Sequence, residues 1–290
     1  MMIAARILAL AILAAQVTAY AATPAEAPQN LIREVVFNEL REHQHHGFWQ
    51  YSVVKKTGQQ TLQQEEVETA GGRVNRVVAI NGSSLNPREQ EQEDDRLFHL
   101  LHDRGQQARL KQQYDEDERH IGSMMSLLPE AFLYQYDGSE GDEVRLRFLP
   151  NPSFRPPTCE ARVFHSMAGT VWVNLSQKRL ARLQGQLVEN VDFGYGLLGR
   201  INKGGTFEME RREVSPGVWK TLVLDVHISG HVIMLKCVGK DQREVRSDFR
   251  PVPADLNVAS AEALLGRAVA GNRPPAPAHM QPFVLQNHAR

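Results

Sequence analysis

The sequence predicts an α+β protein whose main element is a meander of long antiparallel strands. Residues 167–175 and 179–187 alternate apolar and polar side chains with the period of two that is typical of half-buried strands, and a polar turn at 176–178 joins them as a hairpin. Other segments have the same alternation and are separated by dipeptides typical of turns, such as Asn81-Gly82. Residues 87–128 instead have helical spacing, so we expect helices to accompany the sheet.

The N-terminus has the pattern of a secretory signal peptide, which we predict at residues 1–21. Arg6 precedes an apolar run at residues 7–15, and Ala19-Tyr20-Ala21 supplies the small side chains of a cleavage site. The run is too short to span a membrane, and no cysteine follows it to accept a lipid. We therefore expect export and cleavage, which would leave a soluble periplasmic chain from about Ala22.

Composition limits the function classes. The 290-residue chain is 42% hydrophobic, which is enough for one large domain or two small ones. Its net charge of −1 provides no overall attraction to nucleic acid or to an anionic membrane. Two cysteines, Cys159 and Cys237, are too few for a disulfide scaffold, although an oxidising compartment would allow this one pair to form.

The first part of the chain is predicted to contain one helix and three strands. An amphipathic helix begins with Asn30 as its N-cap and ends near Gly47. A strand at residues 48–56 then pairs in a meander with strands at 61–69 and 73–80.

The middle of the chain is predicted to contain a helical insertion and two strands. Residues 87–128 fit one long helix or two packed helices, which Pro129 ends. Strands follow at 131–136 and 141–149. The proline-rich segment 150–157 lacks backbone donors, so it is predicted to be a rigid surface loop.

The C-terminal part is predicted to be mainly strand. Four further strands are expected, at residues 206–214, 218–228, 232–238 and 243–249. A short helix at 259–268 ends the fold, and the proline-rich tail at 271–290 is predicted to be disordered.

Several of these segments resemble the LolA-like family of bacterial envelope proteins, which includes lipoprotein-sorting carriers and related lipid-binding or regulatory proteins. The resemblance lies in Tyr51-Ser52-Val53-Val54, in the strand 77–82 that ends in Ile-Asn-Gly, and in the strand 169–174 followed by residues 179–183. It covers about residues 30–250 as a topological pattern. The resemblance implies a LolA-like half-barrel domain at residues 30–265, in which helices cover the concave face of a strongly curved antiparallel sheet, an unclosed β-barrel.

In the carriers of that family the interior receives acyl chains, so the resemblance implies that this chain binds a lipid, an acyl chain or a lipidated protein. Alternation along the strands supplies the candidate apolar face: Trp49, Tyr51, Val53, Val171, Val173, Leu183, Leu187, Leu222, Leu224 and Val226. A curved sheet with such a face either leaves an apolar pocket or fills the space with its own side chains. A filled interior would instead indicate a monomeric envelope sensor or scaffold that binds a protein partner through loops and open sheet edges.

A loop after the central hairpin is the candidate mouth of the pocket. Its apolar residues are Phe193, Tyr195, Leu197 and Leu198, which either pack against the protein or contact cargo or membrane. A nearby basic cluster could rest on anionic lipid headgroups as a peripheral membrane contact, and it comprises Arg200, Lys203, Arg211 and Arg212. The same charges could instead protect strand edges.

The sequence contains no convincing enzyme or cofactor motif. Residues 194–199 match the glycine pattern of a dinucleotide site, but a loop and a strand follow where a helix is required. Asp225 and His227 share one strand face without an evident nucleophile, and no Gly-x-Ser-x-Gly motif is present. We therefore expect a protein that is not an enzyme and has no cofactor.

The candidate metal ligands have simpler interpretations. His43, His45 and His46 are expected to complement the negative end of the first helix, although Glu39 one turn before His43 keeps a metal site open. His227 and His231 flank the turn Ser229-Gly230 as hairpin residues that could meet across it. The carboxylate runs at 91–95 and 115–118 lack the order of a calcium loop and are expected to be solvated helix surface.

Overall fold

The computed structural model describes residues 26–42, 47–193, 199–232 and 240–270. The predicted signal peptide and the predicted tail at 271–290 lie outside these residues. The helices are α1 (Pro28–Glu42), α2 (Pro87–His102), α3 (Arg104–Ala131), α4 (Cys159–His165) and α5 (Glu262–Ala270), with a 3-10 turn at Ala259–Ala261. The strands are β1 (Trp49–Thr57), β2 (Gln60–Thr69), β3 (Gly72–Ile80), β4 (Ser83–Ser84), β5 (Phe132–Glu140), β6 (Glu143–Pro150), β7 (Met167–Asn174), β8 (Arg179–Leu187), β9 (Val191–Phe193), β10 (Gly199–Ile201), β11 (Thr206–Ser215), β12 (Val218–Ile228), β13 (Gly230–Val232) and β14 (Lys240–Pro251).

One large antiparallel sheet dominates the fold. Its eleven strands follow the order β4-β3-β2-β1-β14-β12-β11-β8-β7-β6-β5, and the sheet is not closed because β4 and β5 lie at opposite ends. A small second sheet has the order β13-β10-β9. The predicted α+β class with a large antiparallel sheet is therefore confirmed. No helix of the described residues is both long and apolar enough to span a membrane.

The strand registers define two faces of the main sheet. One row of successive cross-strand partners runs from β1 to β5 and comprises Lys55, Glu244, Leu224, Met209, Leu183, Val171, Leu146 and Tyr136. We call the side that carries this row the core face. Neighbouring positions point to the other side, where Thr170, Gln184 and Glu208 are cross-strand partners, and we call that side the groove face.

The largest apolar core lies between α1 and the β5–β8 part of the core face. The helix contributes one buried stripe, Leu31, Ile32, Val35 and Val36. The stripe packs with sheet residues that include Leu146, Val171 and Leu183. Burial of each such aliphatic side chain stabilises the fold by about 1.5–3 kcal/mol, which explains why this part of the chain holds together.

A second apolar core lies at the opposite end of the main sheet. Val67 of β2 and Val74 of β3 are fully buried there against Leu97 and Leu101 of α2. Leu265 of α5 completes this core, so the C-terminal helix is held to the first meander.

The helical insertion forms two helices rather than one. Asp103 ends α2, where its N–H donates to His99 O at 2.9 Å, and it also caps the N-terminus of α3. Its carboxylate accepts from Gly105 N at 2.6 Å and from Gln106 N at 3.2 Å. A side chain that satisfies free amide donors in this way favours a new helix start.

Three local predictions were wrong. The first helix begins at Pro28, so Asn30 lies in its first turn rather than at the N-cap; the ring of Pro28 suits that turn because no donor is needed there. Pro129 does not end the insertion: α3 continues to Ala131, and Gln29 donates to Pro129 O and to Phe132 O. The residues Ser229-Gly230 do not close a hairpin, because β13 pairs with β10 and not with β12.

Candidate functional site

The candidate lipid face is buried within the protein. Eight of its ten residues are between 0% and 7% exposed, namely Trp49, Tyr51, Val53, Val171, Val173, Leu183, Leu187 and Val226. Leu222 and Leu224 are half-buried. The β7 and β8 residues belong to the core beneath α1, whereas the β1 residues form a separate cluster with Phe249. The predicted face is therefore divided between two cores.

A buried ion cluster joins α1 to the sheet. Glu39 Oε1 accepts from Arg179 Nε at 3.0 Å and from Leu180 N at 2.9 Å, while Oε2 accepts from Arg179 Nη2 at 2.9 Å and from Arg211. One turn later, Glu42 Oε1 accepts from Trp219 N at 2.8 Å. The end of α1 is thus held to β8, β11 and β12 by charge-assisted bonds.

The environment keeps Glu39 ionised. Burial is the largest single influence and raises its pKa, but the guanidinium groups of Arg211 and Arg179 outweigh burial and hold the pKa below its usual range. Both guanidinium groups pair with Glu39, and Glu42 Oε2 lies buried beside them without a hydrogen bond of its own. These mutual charge contacts give the cluster the character of a structural support.

The aromatic residues of β1 contact charged groups as well. Lys220 Nζ lies 5.9 Å from the ring centroid of Trp49 and donates to Glu68 Oε2 at 2.9 Å. The hydroxyl of Tyr51 donates to Glu66 Oε1 at 2.5 Å. Burial lowers the pKa of Lys220 and raises that of Tyr51. Ion pairs therefore occupy this part of the core face.

The candidate mouth is only partly described. Phe193 is 5% exposed and packs in the core beneath α1, with the Arg162 guanidinium 5.5 Å from its ring centroid. Tyr195, Leu197 and Leu198 lie outside the described residues.

The candidate basic cluster is not a single patch. Arg211 is drawn into the buried cluster with Glu39. Arg200 Nε donates to Asp192 Oδ1 at 2.5 Å, and Arg212 Nη2 donates to Glu210 Oε1 at 2.7 Å. Lys203 is exposed on the loop after β10.

A polar depression of about 470 Å³ lies on the groove face, across β7, β8, β11 and β12. We call it the sheet groove. Its floor is formed by the backbone of three cross-strand partners at core-face positions, Gly169, Gly185 and Phe207. Its walls carry polar side chains and one alanine: Ala168, Thr170, Gln184, Gln186, Thr206, Glu208, Asp225 and His227. Its residues come from four separate strands, so they form no motif in the sequence.

His227 is held between two carboxylates at one end of the sheet groove. Its Nε2 lies 2.8 Å from Asp225 Oδ1, and its Nδ1 lies 2.6 Å from Asp241 Oδ1. Asp225 and His227, which were predicted to share one strand face, lie in contact. Both ring nitrogens therefore face carboxylate oxygens of the protein, and Asp225 Oδ1 is itself buried without a hydrogen bond.

The two ends of the main sheet differ in whether other parts of the chain cover their backbone groups. Along β3, α2 satisfies the free backbone: Glu93 Oε1 accepts from Val77 N at 2.7 Å, and Arg96 Nη2 donates to Asn75 O at 2.7 Å. Glu93 is buried, so the prediction that the run 91–95 is entirely solvated was wrong. The charged side chain of Glu93 points from α2 toward β3, where it occupies a backbone donor of the sheet edge.

At the other end, β5 leaves apolar surface open. Leu133 and Leu149 are cross-strand partners that are 53% and 55% exposed. Among the described residues, no backbone hydrogen bond reaches residues 133–140 from any segment other than β6. An edge with an exposed apolar pair is suited to pairing with another chain.

The remaining candidate sites do not converge. His43, His45 and His46 lie outside the described residues, and within those that are described no three metal-binding side chains come together. The backbone of His231 pairs with Arg200 of the small sheet, away from His227. Gly199 begins a strand, so the residues described near the glycine pattern lack a helix.

Cys159, at the start of α4, is disulfide-bonded, and Cys237 lies outside the described residues. The sequence did not predict α4, whose start is capped by Thr158 accepting from Ala161 N at 3.1 Å.

Comparison with known proteins identifies no family. No protein-family model matches the chain, and no curated protein is significantly similar to it. The function must therefore be argued from the geometry of the core face, the sheet edges and the sheet groove.

Proposed function

We propose that this chain is a non-enzymatic, monomeric protein of the bacterial cell envelope that binds a protein partner and whose interior is filled by its own side chains. The observation that carries the proposal is the burial of the candidate lipid face: Val173, Leu187 and Val171 are 0%, 1% and 3% exposed. An empty cavity wide enough for an acyl chain would leave accessible surface on the side chains that line it.

A curved, unclosed barrel of the LolA-like type is part of the proposal. Lys220 of β12 bonds to Glu68 of β2 although β14 and β1 lie between them in the sheet. Three strand spacings amount to about 14 Å in a flat sheet. This contact supports a bend that makes the core face concave, and the contacts of α3 with both β3 and β5 support helices that cover it.

The open edge of β5 is the surface best suited to the partner. Leu133 and Leu149 offer apolar contact beside a strand that has room for a neighbour, as in recognition by strand addition. The covered edge at β3 cannot serve in this way, because α2 already occupies its backbone groups.

A lipid carrier is the second candidate. Leu222 and Leu224, with Met209 opposite Leu224, are only half-buried on the core face, so apolar surface remains near its middle. Burial of an acyl chain there, at about 0.8 kcal/mol per CH₂, would provide affinity without catalysis. Either function places the chain in the envelope through the predicted signal peptide at residues 1–21.

The deciding experiment is native mass spectrometry of the mature protein purified from its own host's envelope, with organic extraction of the sample. We expect the mass of the protein alone and no displacement signal in a titration with a fluorescent fatty acid. A stoichiometric acylated molecule would overturn the filled interior and establish the carrier.

Partner binding at β5 is tested with a photo-crosslinking amino acid at Leu149 in intact cells. Phe98 on α2 is also 55% exposed and serves as the matched control position. We expect one discrete adduct from position 149 that disappears when Leu133→Lys is added, because a charge on the edge opposes strand pairing. Equal adducts from both positions, or an adduct that Leu133→Lys leaves unchanged, would remove β5 as the docking edge.

A further inference from the structure

We propose that the sheet groove on the face opposite the core is a binding site for a neutral oligosaccharide. This inference does not depend on what the interior holds or on the β5 edge. It rests on the charge balance, the free hydrogen-bonding groups and the size of the groove.

The charges of the groove are already paired within the protein. Each carboxylate that lines the groove contacts an arginine: Glu208 with Arg182, and Asp225 with Arg243. An anionic ligand such as phosphate would have to displace these carboxylates, and a cation would have to displace the arginines. The groove therefore favours a ligand without net charge.

The neutral side chains supply the binding capacity. Thr170 and Gln184 are cross-strand partners, as are Gln186 and Thr206, and all four line the groove. Among the described residues, none of these four side chains has a hydrogen bond to the protein. Hydroxyl and amide groups both donate and accept, which matches the hydroxyl groups of a sugar, since each of those also donates and accepts.

Size and neighbouring surface agree with a chain of sugar rings. A volume of about 470 Å³ lies within the range of small-molecule sites, about 300–1,000 Å³. Trp172 lies two positions from Thr170 on the same strand, so it shares the groove face, and the Arg182 guanidinium lies 5.1 Å from its ring centroid. An aromatic ring and planar amides at the same surface give flat apolar contact beside polar groups.

Trp172 also provides a local reporter. It is half-buried, whereas Trp49 and Trp219 are each 6% exposed in the core, so ligand in the groove should change chiefly the emission of Trp172.

The test is a titration of the mature protein with chitotetraose and with maltotetraose, followed by tryptophan emission and by isothermal titration calorimetry. Inorganic phosphate is the charged comparison probe. We expect at least one tetrasaccharide to bind with saturation and phosphate not to compete. Gln184→Ala and Gln186→Ala should each weaken binding by about 2- to 10-fold, the usual effect of one lost hydrogen bond.

Gln60→Ala, at an exposed position of β2 far along the sheet, is the matched control and should bind as the wild type does. If the alanine variants fail to fold by circular dichroism, Thr170→Val removes one hydroxyl at nearly constant shape and takes their place. Absence of binding to both sugars overturns the proposal. So does sugar binding that Gln184→Ala, Gln186→Ala and Thr170→Val all leave unchanged, or binding of phosphate instead.

Discussion

At the scale of single residues, buried charge holds the first helix to the main sheet. Glu39 is 1% exposed and bonds to Arg179 and Arg211. Such a cluster adds little net stability compared with apolar packing, but loss of Glu39 would leave two buried guanidinium groups with Glu42 as their one remaining carboxylate in the cluster. Its role is to fix the end of α1 over β8 and β11.

Glu39→Gln should lower the free energy of unfolding by about 3 kcal/mol at pH 7, because Arg179 and Arg211 would remain buried beside a neutral amide. The pKa of Glu39 is lowered in the folded state. The stabilisation is therefore fully present above the ordinary pKa of a glutamate and is lost as the pH falls through the folded-state pKa. The difference between variant and wild type should shrink as the pH range is extended downward from about pH 5.

Urea unfolding followed by circular dichroism across that pH range measures this difference. Glu34→Gln, on the same helix but with a side chain that is 55% exposed, is the control and should stay within about 0.5 kcal/mol of wild type. A Glu39→Gln protein as stable as Glu34→Gln at pH 7 would contradict the structural role.

At the scale of elements, period-two alternation predicted most of the main sheet. A strand with one buried face alternates apolar and polar residues, so its own sequence identifies it as a strand. The helix α4 escaped prediction because it has seven residues and follows a proline-rich segment, which leaves little periodic signal. The ion cluster could not be predicted, since Glu39 lies 140 positions from Arg179 and 172 from Arg211. The sheet groove could not be predicted for the same reason. Its residues are far apart in sequence and become neighbours only when four strands pair in the observed register.

The cover of β3 by α2 leads to an element-scale prediction. Glu93→Ala should lower the free energy of unfolding by about 1–3 kcal/mol, because Val77 N–H loses its acceptor and Arg96 loses its carboxylate partner. The variant should also associate more readily, since the β3 edge becomes available. Thermal unfolding with light scattering reports both effects.

Glu91→Ala is the matched control, because Glu91 lies exposed on the same helix. Equal melting and scattering of the two variants would mean that Glu93 does not protect the edge.

At the scale of the whole molecule, the central question is whether the protein's own side chains completely fill the space between α1 and the main sheet. Val173 is 0% exposed in that core. If the interior is filled, Val173→Phe must displace its neighbours and should destabilise the protein by about 1–3 kcal/mol. If an acyl chain normally fits there, the larger ring should be accepted with little loss of stability.

Val54→Phe is the control, since Val54 is 38% exposed on the other face of the sheet. Chemical denaturation of both variants provides the comparison. A Val173→Phe protein as stable as Val54→Phe would favour the lipid carrier over the partner-binding module.

The strand order also determines when the molecule can assemble. β1 has its second neighbour in β14, the last strand among the described residues, and β14 connects the first meander to the rest of the main sheet. A chain that emerges from its N-terminus during synthesis must keep one edge of β1 unpaired until residues 240–251 follow. That edge of β1 is therefore open to premature strand pairing for as long as residues 240–251 are missing.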